Sequence, residues 1–260
     1  MRVIWSTLLV YGVAFVAVFG FQLVAVTALL TWRTGSLDLE RDALTALLVG
    51  VPASSLTLIG IALLAAGRPR SVRLRLLPSA VPAGELAVMV VGILALSQAL
   101  ESLVLLLDVG TGPTLEWMTR TVASATPVGL ALAVAVVGLL APVGEELFFR
   151  GYMLTRFRQV WSPGPAILVS AIAFGIIHGE WIHGVLAAVI GVYLGLVTER
   201  SGSVVPAMIC HAANNTASLL LSAWIGSPHG RSLNAALVLG MGLVVAWSLA
   251  RLRRSWPRPA

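Results

Sequence analysis

The sequence predicts an all-α, polytopic membrane protein of about eight transmembrane helices, with a polar site inside the bundle. Three observations carry that expectation. Apolar residues fill 58% of the 260 positions and charged residues only 11%, with a mean hydropathy of +0.95, whereas soluble domains average about 25% charged residues. Apolar runs long enough to cross about 30 Å of hydrocarbon recur from one end to the other. The segments between them hold Gly, Pro, Asp and Arg, which punctuate helices through their backbone restrictions or charge. No soluble module is left over, so residues 1–260 read as a single membrane domain.

The first run, residues 4–30, follows Arg2. It exceeds the roughly 7 to 15 residue core of a cleaved signal peptide, so it counts as a span. The second, 43–66, lies between the connections RTGSLDLERD and GRPRSVRLRLLPSAVP. The third, 84–107, carries Ser97, Gln98 and Glu101 on one polar side, suited to helix–helix bonding or a wet cavity, and ends at DVGTGPT. The fourth, 130–155, contains APVGEELFFRGY. The fifth and sixth, 164–180 and 183–198, are short and parted only by Gly179 to Ile182, and Gly191 and Gly195 give the sixth a GxxxG packing face. The seventh, 204–225, and eighth, 233–250, complete the series.

With eight spans both termini share a face with the second, fourth and sixth connections. That face collects Arg2, Arg68, Arg70, Arg73, Arg75, Arg156, Arg158, Arg200 and the tail arginines Arg251, Arg253, Arg254 and Arg258. The other face has Arg33, Arg41, Arg120 and Arg231. The positive-inside rule then places both termini in the cytoplasm, and an arginine-only basic complement suggests a GC-rich bacterial genome and its inner membrane. Fusing the fifth and sixth runs would give seven spans and split this asymmetry.

Composition also excludes. The net charge of +6 and pI near 10.9 do not indicate nucleic acid, because the arginines sit in the connections, where the lipid bilayer is their partner. With no lysine, a Ser-Lys dyad is ruled out. Cys210 is the only cysteine, which excludes an internal disulfide and a cysteine-ligated zinc cluster. Asp38, Asp42 and Asp108 all lie in connections, so no intramembrane aspartyl dyad forms, and a GxSG nucleophile turn is missing.

The charges of the fourth run therefore stand out. Glu145, Glu146 and Arg150 lie inside a span, where burial of charge costs from a few to more than ~10 kcal/mol and marks function. On an α-helix Glu146 and Arg150, four apart, can pair. Glu145, turned about 100° from Glu146, points elsewhere and is left available as a general base. His178 follows Phe174 by four residues, and His211 precedes Asn215 by four. The second pair could aim two donors at one point, as an oxyanion site requires. Counted from the arginine-rich face, Glu145 lies about 16 Å deep, His178 about 20 Å, and His211 and Asn215 about 10 and 16 Å. HGEWIH, residues 178–183, invites a metal, but HExxH is missing and histidines five apart diverge by about 140° on a helix unless it is unwound. No cofactor is expected, and a metal is disfavoured.

These residues resemble the CAAX-protease and bacteriocin-processing family, the Ras-converting endopeptidase-like proteins. Its motifs EExxxR, FxxxH and HxxxN are matched in order by Glu145, Glu146 and Arg150, by Phe174 and His178, and by His211 and Asn215, within a family-like core of about 84–225. The resemblance implies a glutamate-dependent intramembrane peptidase that needs no metal and acts on a peptide or membrane-protein substrate near the cytoplasmic side. It further implies that Glu145 and His178 activate a water, that His211 and Asn215 stabilise the oxyanion, and that Glu146 and Arg150 hold the architecture. A second reading keeps the same motifs in a non-catalytic bacteriocin-immunity or membrane scaffold protein, and a third uses the acids as proton relays in a small transporter.

Overall fold

The structure, a computed structural model, describes residues 1–35, 38–79, 81–227 and 230–254. Arg258 and part of the first connection, residues 36 and 37, lie outside them. Among the described residues the chain is helical throughout, with no strand. Its elements are α1 (Arg2–Thr34), α2 (Ala43–Ala66), a single turn α3 (Arg70–Arg73), α4 (Ala83–Leu107), α5 (Pro113–Ala123), the long rod α6 (Pro127–Phe157), α7 (Pro163–Ile176), α8 (Trp181–Ser201), α9 (Val205–Trp224) and α10 (Arg231–Arg254). A helix therefore stands at each of the eight expected runs, and this is a multi-pass membrane protein.

Six of these helices, α1, α2, α4, α6, α8 and α10, are long and apolar enough to cross a membrane. Short α7 has 14 residues, and α9 carries His211, Asn214 and Asn215, which lower its hydropathy below that of the other rods. The expected eight spans thus stand at six by length and apolarity. Two further differences concern connections. The fifth run ends at Ile176 instead of 180, so His178 lies in a turn, residues 177–180, and not on a helix. The third connection folds into amphipathic α5, whose Val122 is buried and whose Trp117 and Met118 are partly buried against Leu47, Val137 and Leu219.

Packing puts α6 and α8 inside and α1 and α10 outside. Helix α1 runs along α2, α2 along α6, α7 along α8 and α10 along α4, and α9 touches α4, α5, α6 and α8. Exposed Leu9, Val16 and Leu23 on α1 and Leu239 and Leu243 on α10 face outward, as positions in contact with lipid tails do.

The arginine-rich connections do meet on one face. Glu199, 8% exposed and near the end of α8, accepts from Arg75 Nη1 at 2.6 Å and from Arg158 Nε at 2.8 Å. Next to it Arg200 donates to Glu85 at the start of α4, 2.9 Å, and the Arg75 carbonyl accepts from Val204 N–H, 2.9 Å. Arg156 donates to Ser6 of α1 at 3.0 Å, bringing the amino-terminal end to the same side. Trp32, Trp181 and Trp224, all exposed, sit at the opposite helix ends, the placement of an interfacial aromatic belt.

Candidate active site

Pro142 explains the shape of α6. A proline has no N–H to donate and crowds the carbonyl one turn earlier. The rod widens just before it, where Val134–Leu140 winds as π-helix; a second π stretch, Leu147–Leu154, follows α-helical Ala141–Glu146. Such turns are rare and gather at functional sites. In the five-residue register Ala141 N–H bonds to the Val136 carbonyl. The carbonyl of Val137 would take the next N–H, but residue 142 is proline. Asn215 Nδ2, from α9, donates to it instead at 3.2 Å.

The α-helical window holds the two acids. Glu146 is fully buried, and its Oε1 accepts from Arg150 Nη1 at 2.7 Å. Arg150, 1% exposed, donates through Nη2 to the Gly191 carbonyl at 3.0 Å and lies 4.5 Å above the Phe174 ring. A cation over an aromatic face is stabilised by the ring quadrupole. The guanidinium is thus held by a carboxylate, a carbonyl and a π face, which offset its removal from water.

His211 sits between the acids. Its Nδ1 is 2.9 Å from the same Glu146 Oε1 and its Nε2 is 3.6 Å from Glu145 Oε2. A carboxylate paired with Arg150 can only accept, so Nδ1 carries the proton and Nε2 faces Glu145. Glu145 differs from its neighbour in keeping a side chain 21% exposed. The sequence expectation of separate environments for two adjacent glutamates is met geometrically.

Phe174 carries the histidines. The rings of His178 and His211 meet it edge-on, at 5.0 and 5.7 Å between centroids. His178 Nδ1 is 2.8 Å from the Phe174 carbonyl at the end of α7, which fixes the proton on Nδ1 and leaves Nε2 as the basic nitrogen. Because residues 177–180 are unwound, the ring of His183 comes within 4.3 Å of His178, closer than a continuous helix would allow. Among the described residues no group of three or more His, Cys, Asp and Glu side chains is arranged to hold a metal ion.

The structure therefore joins Glu145, Glu146, Arg150 and His211 directly and brings in His178 through Phe174. Asn215 Nδ2 donates to the backbone of α6, and its oxygen accepts from Asn214 Nδ2 at 3.4 Å. Sequence reasoning missed the part played by Gly191. A Cβ there would stand 2.9 Å from Arg150 Nη2 and 3.1 Å from Phe174, so half of the GxxxG pair makes room for the guanidinium, while Gly195 packs on Ile167 as expected. It also missed the freed Val137 carbonyl, for which a proline five residues later was the signal.

Comparison with known proteins bears on the same segment. Residues 127–217 match the family described as type II CAAX prenyl endopeptidase Rce1-like. In that segment the chain is similar to the CAAX protease family. Human CAAX prenyl protease 2 is 28% identical over 126 residues, covering 40% of this chain and 38% of the human protein. An Escherichia coli protein, described only as an uncharacterized 24.3 kDa protein, is 27% identical over 142 residues, 53% of this chain and 61% of the relative. The chain thus spans less than two thirds of either relative's length. No solved structure matches it significantly. The matched segment begins with α6 and ends in α9 two residues after Asn215, so it contains every site residue named above.

Proposed function

We propose that this protein is a member of the CAAX protease family and an intramembrane endopeptidase in which a glutamate and a histidine activate water. The observation that carries the reading is the chain Arg150, Glu146, His211, Glu145, which joins the spanning rod α6 to α9. Ion pairs are costly in a membrane, and this one leads to a partly exposed carboxylate 3.6 Å from the His211 imidazole.

In the proposed reaction Glu145, with His178 Nε2 orienting, takes a proton as the water oxygen bonds to the peptide carbonyl carbon. His211, as the imidazolium balanced by Glu146 and Glu145, presents Nε2–H to the oxyanion, and the second N–H of Asn215 is the further donor. Collapse breaks the C–N bond, the proton on Glu145 passes to the leaving amine, and the carboxylic acid and amine are released, the acid's proton passing to the amine in water. The arginine-rich face, on the positive-inside rule, is the cytoplasmic one of a bacterial inner membrane.

The test uses the full chain in proteoliposomes with quenched fluorogenic peptides, with and without a prenylated cysteine, and mass spectrometry of the products. Loss of the general base in Glu145→Gln is expected to slow cleavage at least ~100-fold. A variant that cuts as fast as the parent would end this reading.

A further inference from the structure

Glu180 stands at the start of α8 in the position where side chains usually cap their own helix. Its backbone does so, the Glu180 carbonyl accepting from Gly184 N–H at 2.8 Å, but its carboxylate makes no bond to α8. It reaches instead across the bundle, and Oε2 accepts from the Thr114 N–H, at 2.9 Å, in the first turn of α5. The other oxygen is buried against Gly112, the N-cap of α5, where a Cβ would collide with it and where φ is +86°. Both sides of the contact are thus shaped for each other.

What the contact joins is specific. Glu180 lies two residues after His178, in the four-residue turn that holds that imidazole. At its other end α5 packs Val122, with Trp117 and Met118, against Val137 and Leu219. Val137 is the residue whose carbonyl holds Asn215, and Leu219 follows Asn215 by one turn of α9. Helix α5 therefore bridges the two halves of the site.

We propose that Glu180 is a positioning residue: by tying the first turn of α5 to the turn bearing His178, it sets where His178 stands relative to Asn215. This rests on the endopeptidase reading for its effect on rate, but the tie itself does not, and the experiment separates the two. Hydrogen exchange by mass spectrometry is run on the full chain and on Glu180→Ala and Glu180→Gln, alongside peptide cleavage. In Glu180→Ala, exchange rises at least ~tenfold in residues 113–118 and 177–183 together and is unchanged in 141–157, because one contact held both segments. The kcat falls at least ~tenfold with KM within about twofold, while Glu180→Gln, which keeps an acceptor for Thr114, stays near the parent. Exchange that rises in one segment only, or a parental kcat in Glu180→Ala, overturns the proposal. If the parent cleaves no peptide, the exchange coupling alone decides: joint loosening upholds the tie and independent behaviour refutes it.

Discussion

His211 and Arg150 bond to the same oxygen of Glu146, at 2.9 and 2.7 Å. One carboxylate therefore neutralises a buried cation and orients a ring at once. The two duties can be separated by mutation. Glu146→Leu leaves Arg150 buried without its partner, and loss of about 3–5 kcal/mol of stability is expected. Replacing both, as Glu146→Leu with Arg150→Met, should recover most of the thermal stability and none of the peptide cleavage, since His211 then has no orienting acceptor. Scanning unfolding paired with turnover checks this, and a double variant that regains activity would contradict it.

Pro142 sits in a helix interior, where proline costs about 3 kcal/mol relative to alanine. Pro142→Ala restores an N–H that competes with Asn215 for the Val137 carbonyl. The variant is expected to melt at higher temperature and to cleave about 100-fold more slowly, the scale of a small misplacement of a catalytic donor. Unchanged turnover would show that Asn215 does not depend on the widened rod.

Gly191→Ala would place a methyl 2.9 Å from the Arg150 guanidinium. Overpacking of this kind costs about 1–3 kcal/mol. Gly12→Ala, with open space around it, is the control and should unfold like the parent.

Orientation is tested in whole cells with single cysteines in a Cys210→Ala background. A membrane-impermeant thiol reagent should label position 116, on α5, and spare position 73, in the arginine-rich connection. The reverse pattern would invert the proposed topology.

Much of the architecture was legible because membrane helices announce themselves by composition: the rods at 43–66 and 84–107 fall within a residue of their expected bounds. Helix α5 was not, because Glu116 and Arg120 share 11 residues with Gly and Pro neighbours and read as a connection. The early end of α7 was hidden by Ile176 and Ile177, which continue the apolar run past the last helical turn. Within the site, spacing foretold the Glu146–Arg150 pair, since four residues bring side chains together on one rod. It could not foretell His211 between two glutamates, or Glu180 against Thr114, because those contacts cross between helices and depend on how the rods are set side by side.

The two widened stretches of α6 have a consequence for how the chain tolerates change. Each accommodates the equivalent of one extra residue, and one residue is worth about 100° of rotation in an α-helix. The segment Ala141–Glu146 is consequently geared separately from the rod's two ends. Deleting one residue from Val134–Leu140 would swing the upper portion against α2 and α5 while leaving the acids facing His211, whereas a deletion between Glu146 and Arg150 would unhook the guanidinium itself.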